Sequence, residues 1–403
     1  MSSAATPKPE IKAPVIAGFV ASVSGSAATF GIAIAGLLAM GATREQTFTA
    51  IFVLLFGYGL LSTVLSYRYK MPISIVWSTP GAAFLAASAG LGLEFEQAVG
   101  GFLLSGVLLT ITGFWPALAK LVQRIPSAIA SAMLAGILFT FVITTVQASV
   151  EYPILVLPFV AVWFLLNRVS PVWATPVAIV LAFGLINAQV GTGWLSSASL
   201  FPSFDIVVPA FDLIPMFSIG IPLYLITMAS QNLPGIAIMK GFGYTVPVRA
   251  VIGSTGIATV VASFFGGFGM NLAAITAAIN ANEQAAKDPA RRWVASFVGG
   301  LVYWLFAIGA GFFAAFVLAV PRELLLAVVG IALLPSFVSA IGVSLEDKVH
   351  RLPAVITFVV GAAGISVFGI GGAFWALVAG MLVLGWQRLP LPQLGRHSGS
   401  SKN

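Results

Sequence analysis

Pro72-Ile73-Ser74-Ile75-Val76-Trp77-Ser78-Thr79-Pro80-Gly81 leads into Ala82-Ala83-Phe84-Leu85-Ala86-Ala87, and no charged residue interrupts the run before Glu94. The stretch is apolar enough for a bilayer but is a poor continuous helix. Pro80 has no N–H and disfavours helix at Thr79. A β-branched run precedes it and an Ala-rich run comes after. Thr79 as N-cap with Pro80 at the first helical position makes a natural start for a half-helix. About six extended residues at ~3.3 Å each and about ten helical ones at ~1.5 Å add to roughly 35 Å, so the break falls near mid-bilayer. Extended backbone at that depth is tolerated only where protein buries it or it lines a cavity.

A second break occurs later. Phe265-Gly266-Gly267-Phe268-Gly269-Met270-Asn271 precedes another Ala-rich run, Leu272-Ala273-Ala274-Ile275-Thr276-Ala277-Ala278. The glycines oppose helix, and Asn271 is placed to cap the Ala-rich run. Two half-helix starts meeting from opposite sides turn their positive ends toward one region, a place for a negative group. The competing reading is a kinked but unbroken helix at Pro80 and close packing at the glycines. Recurrence of the break at matched positions favours interruption.

The bulk composition places both breaks in a membrane protein. Of 403 residues, 59% are hydrophobic and 8% charged, too few charges to cover a water-facing surface. The net charge of +7 comes from basic residues scattered through short loops, which excludes nucleic-acid binding. There is no Cys, and the two His, His350 and His397, lie in polar segments. This leaves no basis for a metal site, a nucleophile–base pair or a cofactor. The first apolar stretch is too long and Gly-rich for a signal peptide.

Fourteen candidate spans fit the hydropathy. With the N-terminus inside, every Lys and Arg except Arg44 and Arg322 falls on the cytoplasmic side, the bias that sets orientation. Both termini are therefore expected in the cytoplasm. The reading divides the chain into a tail at 1–13, seven spans at 14–188, an outer loop at 189–212, seven more spans at 213–386, and a mobile tail at 387–403. Trp194, Phe201 and Phe204 mark the loop as interfacial or as a plain connection. Seven spans per set invert the second set relative to the first. Gly31-Ile32-Ala33-Ile34 recurs as Gly235-Ile236-Ala237-Ile238, which aligns Ser26 with Ser230. Thr79–Ala87 aligns with Met270–Ala278, and Ile125-Pro126 with Val320-Pro321. The expected fold is an all-α polytopic membrane protein with fourteen transmembrane segments in a seven-plus-seven inverted repeat, segments 3 and 10 being part strand and part half-helix.

Helices 1 and 8 pass the breaks. Helix 8 carries Ser230-Gln231-Asn232-Leu233-Pro234-Gly235, where Pro234 frees the carbonyl of Ser230. Two adjacent amides at membrane depth must hydrogen-bond, to another helix or to a polar space. The serines of helix 1 either face that space or bond back to their own helix. No Asp, Glu, Lys, Arg or His falls near the middle of any span. A neutral polar pocket with two positive dipole ends, flanked by Phe30, Trp77 and Phe268, suits a small carboxylate with an apolar body.

At Ser78-Thr79-Pro80-Gly81, Ser230–Gly235 and Gly266–Asn271 the chain resembles the bacterial benzoate:proton symporter family, over about Pro14 to Trp386. That family is related to the nucleobase–ascorbate and sulfate-type anion transporters. The resemblance implies a core domain of helices 1–4 and 8–11, a gate domain of helices 5–7 and 12–14, and a site between segments 3 and 10. It also implies the inner membrane, benzoate uptake with a proton, and a homodimer. The candidate substrate residues are Ser26, Phe30, Trp77, Ser78, Thr79, Ser230, Gln231, Asn232, Phe268, Gly269, Met270 and Asn271. Nucleobase carriers place acidic side chains where this chain has Gln231, Asn232, Met270 and Asn271, which argues against a nucleobase. The alternatives that stay open are an uncoupled or exchanging anion transporter of the sulfate type, or a nucleobase carrier. For the proton, the carriers in view are the substrate itself or a boundary acid such as Glu151 or Glu323.

Overall fold

The computed structural model describes residues 12–122, 124–197, 201–202 and 204–389. The terminal tails expected at 1–13 and 387–403 therefore lie almost wholly outside the described residues. Helix α1 (Lys12–Ala39) is followed by α2 (Arg44–Tyr69), which opens on a capping box. The Thr43 hydroxyl accepts from the Gln46 N–H at 3.2 Å, and the Gln46 carboxamide accepts from the Thr43 N–H at 2.8 Å. Strand β1 (Ile75–Val76) and half-helix α3 (Thr79–Ala87) come next, then α4 (Phe95–Phe114) and the short α5 (Pro116–Val122). Helix α4 does not run on into α5. It stops at Phe114 because Pro116 cannot donate and holds Trp115 extended.

The chain continues through α6 (Ser127–Glu151), α7 (Pro153–Val169) and α8 (Pro171–Val190). The 204–212 stretch then packs against α2, α4 and the end of α11. Phe204 sets its ring 5.3 Å from that of Phe52, and the Val207 and Ala210 N–H groups donate to the Phe264 and Glu96 carbonyls. Helix 8 of the sequence reading is α9 (Leu213–Thr227), a π turn (Met228–Asn232) and α10 (Leu233–Gly241). After α11 (Val248–Ser263) come β2 (Asn271–Leu272) and half-helix α12 (Ala274–Ala281). The remaining helices are α13 (Trp293–Ala319), α14 (Arg322–Glu346), α15 (Arg351–Ala362) and α16 (Gly372–Gln387). Helix α15 ends at Ala362. A hairpin of β3 (Ser366–Val367) and β4 (Ile370–Gly371) comes after it. Its turn residues Phe368 and Gly369 both have positive φ, 55° and 74°, as a two-residue hairpin turn requires.

Among the described residues, seven helices of 18 residues or more are apolar enough to cross a membrane. The protein is a mostly helical polytopic membrane protein. In one group of helices, α4 packs on α9 and α11, α13 on α1 and α2, α3 on α1, and α12 on α10. In the other, α6 packs on α14 and α15, α7 on α8, and α15 on α16. Small residues set the contacts: a Cβ on Gly256 would lie 2.3 Å from the Thr110 nitrogen, and one on Gly330 2.3 Å from the Phe141 carbonyl oxygen.

Candidate functional site

Residues flanking the two breaks cannot satisfy their backbone groups in a helix, so they satisfy them on each other and on neighbouring side chains. β1 and β2 pair antiparallel, Ile75 opposite Leu272 and Val76 opposite Asn271. The Ala273 N–H extends the ladder to the Ser74 carbonyl at 2.9 Å. From α2, the Ser62 hydroxyl accepts from the Ile75 N–H at 2.9 Å and the Ser66 hydroxyl donates to the Ile73 carbonyl at 2.8 Å. From α11, the Thr259 hydroxyl accepts from the Met270 N–H at 2.9 Å. Asn232 is fully buried in the π turn, and its carboxamide oxygen accepts from the Leu272 N–H at 2.9 Å. Pro234 explains that turn: it cannot donate to the Ser230 carbonyl, and a π bulge absorbs the misfit.

Both half-helices start at this junction. The cap of α3 is Ser78, not Thr79: the Ser78 hydroxyl accepts from the Gly81 N–H at 3.0 Å, which leaves Pro80 inside the first turn. Asn271 does not cap α12. Its Nδ2 donates to the Leu272 carbonyl at 3.2 Å, and its buried Oδ1 has no partner. The N-cap is Ala273, which has no capping side chain, and Gln231 supplies the acceptor instead, taking the Ala274 N–H at 3.3 Å. The sequence alignment set Ser78 opposite Gly269, whereas the two N-caps are Ser78 and Ala273, so the helix starts are four residues out of that register. Each half-helix, of 9 and 8 residues, is roughly 12–14 Å long, half a hydrocarbon core.

Beside the junction stands a wall of aromatic rings. Trp77 donates its indole N–H to the Thr29 hydroxyl at 2.9 Å and meets Phe30 and Tyr58 edge-on, at 5.3 and 5.5 Å. Phe30 stacks on Phe313 at 4.8 Å. Beyond Phe30 lies a chamber of about 270 Å³, bounded by α1, α8, α13 and α14. Its lining includes Gly31, Phe183, Phe313, Phe316 and Val329, and contains only Phe, Ile, Val, Leu, Ala and Gly.

The structure thus gathers Trp77, Ser78, Thr79, Gln231, Asn232 and Asn271 at one junction, with Phe30 at its edge. Ser26 is buried on α1 one turn before Phe30. Ser230 turns its hydroxyl to its own helix, donating to the Ile226 carbonyl at 2.6 Å. Phe268 is 0% exposed and meets Phe102 of α4 at 6.3 Å rather than the Trp77–Phe30 wall. Met270 packs on α2 where Gly57 leaves room. Gly269, at φ +155°, has open space where a side chain would stand. Sequence reasoning missed Ser62, Ser66, Thr259 and Tyr58, because a hydroxyl inside a span has no local signature. It also missed Arg292, expected as a loop cation. Arg292 is 4% exposed and donates to the Ala281 and Ala286 carbonyls at 2.7 and 2.8 Å, closing the far end of α12.

The benzoate membrane transport protein family matches residues 9–385. The chain belongs to that family. It is a multi-pass membrane transporter, as its relatives are, and not an enzyme. It is 34% identical to the inner membrane protein YdcO of Escherichia coli over 91% of this chain and 93% of that one. It is 29% identical to the benzoate membrane transport protein of Acinetobacter baylyi, over 84% of this chain and 86% of that one. Among solved structures, the transmembrane domain of the cyanobacterial bicarbonate transporter BicA superposes with TM-score 0.60 at 17% identity, covering 93% of this chain and 99% of that one. The structure of SLC26A9 gives TM-score 0.62 at 14% identity, covering 94% and 67%. These two likenesses are of fold.

Proposed function

We propose that this protein imports benzoate, or a closely similar aromatic carboxylate, together with a proton, across a bacterial inner membrane with both termini in the cytoplasm. The carboxyl group sits where α3 and α12 begin, among Ser78, Thr79, Gln231 and Asn271, and the ring lies against Trp77 and Phe30. One observation carries the reading: the β1–β2 pair brings two half-helix starts to one place and sets the Trp77–Phe30 wall beside it. Family membership and the benzoate relative in Acinetobacter support the choice of substrate.

Fourteen segments in two inverted sets, 14–188 and 213–386, are part of the proposal. The reciprocal packing of α4 on α11 and of α13 on α2 supports it, as these are equivalent helices exchanged between the sets. The group holding β1, α3, β2 and α12 acts as the core and the group of α6–α8 and α14–α16 as the gate, and movement between them alternates access. A homodimer is compatible with the apolar outer face of α7, where Leu165 and Val169 are exposed.

Reconstituted vesicles with an imposed inward proton gradient are expected to concentrate labelled benzoate above the external level, and absence of accumulation rejects the proposal. A second reading, exchange of anions without a proton, draws on the fold shared with a bicarbonate transporter and an SLC26 anion transporter. It is separated by loading the vesicles with benzoate: exchange requires the internal anion, symport does not.

A further inference from the structure

The symport reading leaves open which group holds the proton, and three observations bear on it. First, among the described residues no carboxylate or imidazole reaches the junction. The boundary acids Glu151 and Glu323 are exposed at the end of α6 and in the first turn of α14. On the elements packed around the junction (α1, α2, α3, the π turn, α11, α12 and α13), the titratable groups within the span are the phenols Tyr58 and Tyr303, whose rings lie 5.9 Å apart. Tyr224 of α9 is hydrogen-bonded to Thr112 at 2.6 Å. The cations of these elements are at their ends: Lys12 on α1, Arg44 and Arg68 on α2, Arg249 in the first turn of α11, and Arg292 ahead of α13, which is held by two carbonyls at the far end of α12.

Second, the half-helix starts are not an empty cradle of donors. The Gly81 N–H is taken by the Ser78 hydroxyl and the Ala274 N–H by the Gln231 carboxamide. With no cation near among the described residues and these donors occupied, a bare carboxylate gains little to offset the loss of its water. Third, the chamber that continues from Phe30 between α1, α13, α8 and α14 offers a ring-sized space of about 270 Å³ lined by apolar side chains. No side chain there offers a carboxylate a hydrogen bond.

We propose that the acid crosses this site undissociated, so that the symported proton is the substrate's own carboxyl proton. Resting on the importer reading above, the step balances without a relay. On the outer side the carboxylate takes one proton from water, the neutral acid moves past the Phe30 wall, and in the cytoplasm the O–H bond breaks and the proton is released. One proton accompanies each acid and no net charge crosses. A carboxylic acid of ordinary acidity, near pH 4, is about one part in a thousand protonated at pH 7. The protein therefore has to select this minor form, which hydroxyls, amides and an apolar chamber do and a cationic site does not.

The test uses the full chain in proteoliposomes, with the flux of protein-free vesicles subtracted to remove acid that crosses the lipid unaided. Three results are expected. A membrane potential set with potassium and valinomycin at equal pH leaves labelled benzoate uptake unchanged. At low total substrate the initial rate falls about tenfold per pH unit above the acid's own midpoint, and for 2-fluorobenzoate, a stronger acid, the break moves to lower pH. Tyr58→Phe and Tyr303→Phe, whatever their rates, keep the proton-driven concentration ratio. Uptake that tracks the potential, a break at one pH for both acids, or loss of concentrating power in either tyrosine variant overturns the inference and leaves the importer reading standing. Absence of protein-dependent benzoate uptake at every pH removes both.

Discussion

Replacing Asn232 by Ala strips the Leu272 N–H of its acceptor in a place water does not reach. Leaving a buried donor unsatisfied costs about 1–3 kcal/mol, so Asn232→Ala is expected to lower the thermal midpoint of the purified protein and to abolish uptake. Gln231→Ala removes only the acceptor at the start of α12, a capping loss of about 0.5–2 kcal/mol. It is expected to keep the protein folded and to weaken benzoate uptake. Equal effects in a side-by-side melting and uptake assay would contradict this division between a buried tie and a site residue. The two amides are adjacent in sequence, and their chemistry alone did not separate them. What separates them is the π turn, which sends both to segment 10 but at different depths of burial, 9% for Gln231 and 0% for Asn232.

The elements divide into those that announce themselves and those that do not. Pro80, the Gly266–Gly267 pair and Pro234 were legible because each acts on its own backbone: a missing donor or a preference for positive φ needs no partner. Gly266 does adopt φ +79°. The capping of α3 was legible to within one residue, since only the hydroxyl geometry decides between Ser78 and Thr79. The capping of α12 was not legible, because its acceptor comes from Gln231, 43 residues earlier. The Phe268 ring meets Phe102 for a related reason: in a stretch turned by glycines at φ +79° and +155°, alternation no longer tells which side a ring takes. The π turn gives a test of its own. Pro234→Ala restores the donor to the Ser230 carbonyl and allows an ordinary α turn, which rotates Gln231 and Asn232 away from segment 10 by about 100° per residue removed. Thermal stability is expected to hold or rise while uptake falls at least tenfold, and wild-type uptake in this variant would show the bulge to be incidental.

In the whole molecule, the two helix groups meet at the apolar chamber beside Phe30, and transport as proposed needs this space to be a passage for the ring. Ala332, half-buried on α14, lines it. Ala332→Phe is expected to fill the chamber, leave the protein monodisperse with an unchanged melting profile, and cut the maximal benzoate rate at least tenfold. An unaltered rate would make the chamber a packing defect. Such a space was beyond the sequence, since its walls come from four helices drawn from both halves of the chain and contain no residue type that reads as a site. The membrane class and the two breaks, in contrast, are set by composition and backbone chemistry alone.

An experimental density map of the full chain with benzoate bound would show the two breaks and their ligand together. Residues 73–78 and 267–273 are expected to be extended and paired, with the carboxyl group within hydrogen-bonding distance of the α3 and α12 starts and the ring against Trp77 and Phe30. Continuous helices through both segments, or a benzoate lodged away from them, would contradict the proposed site.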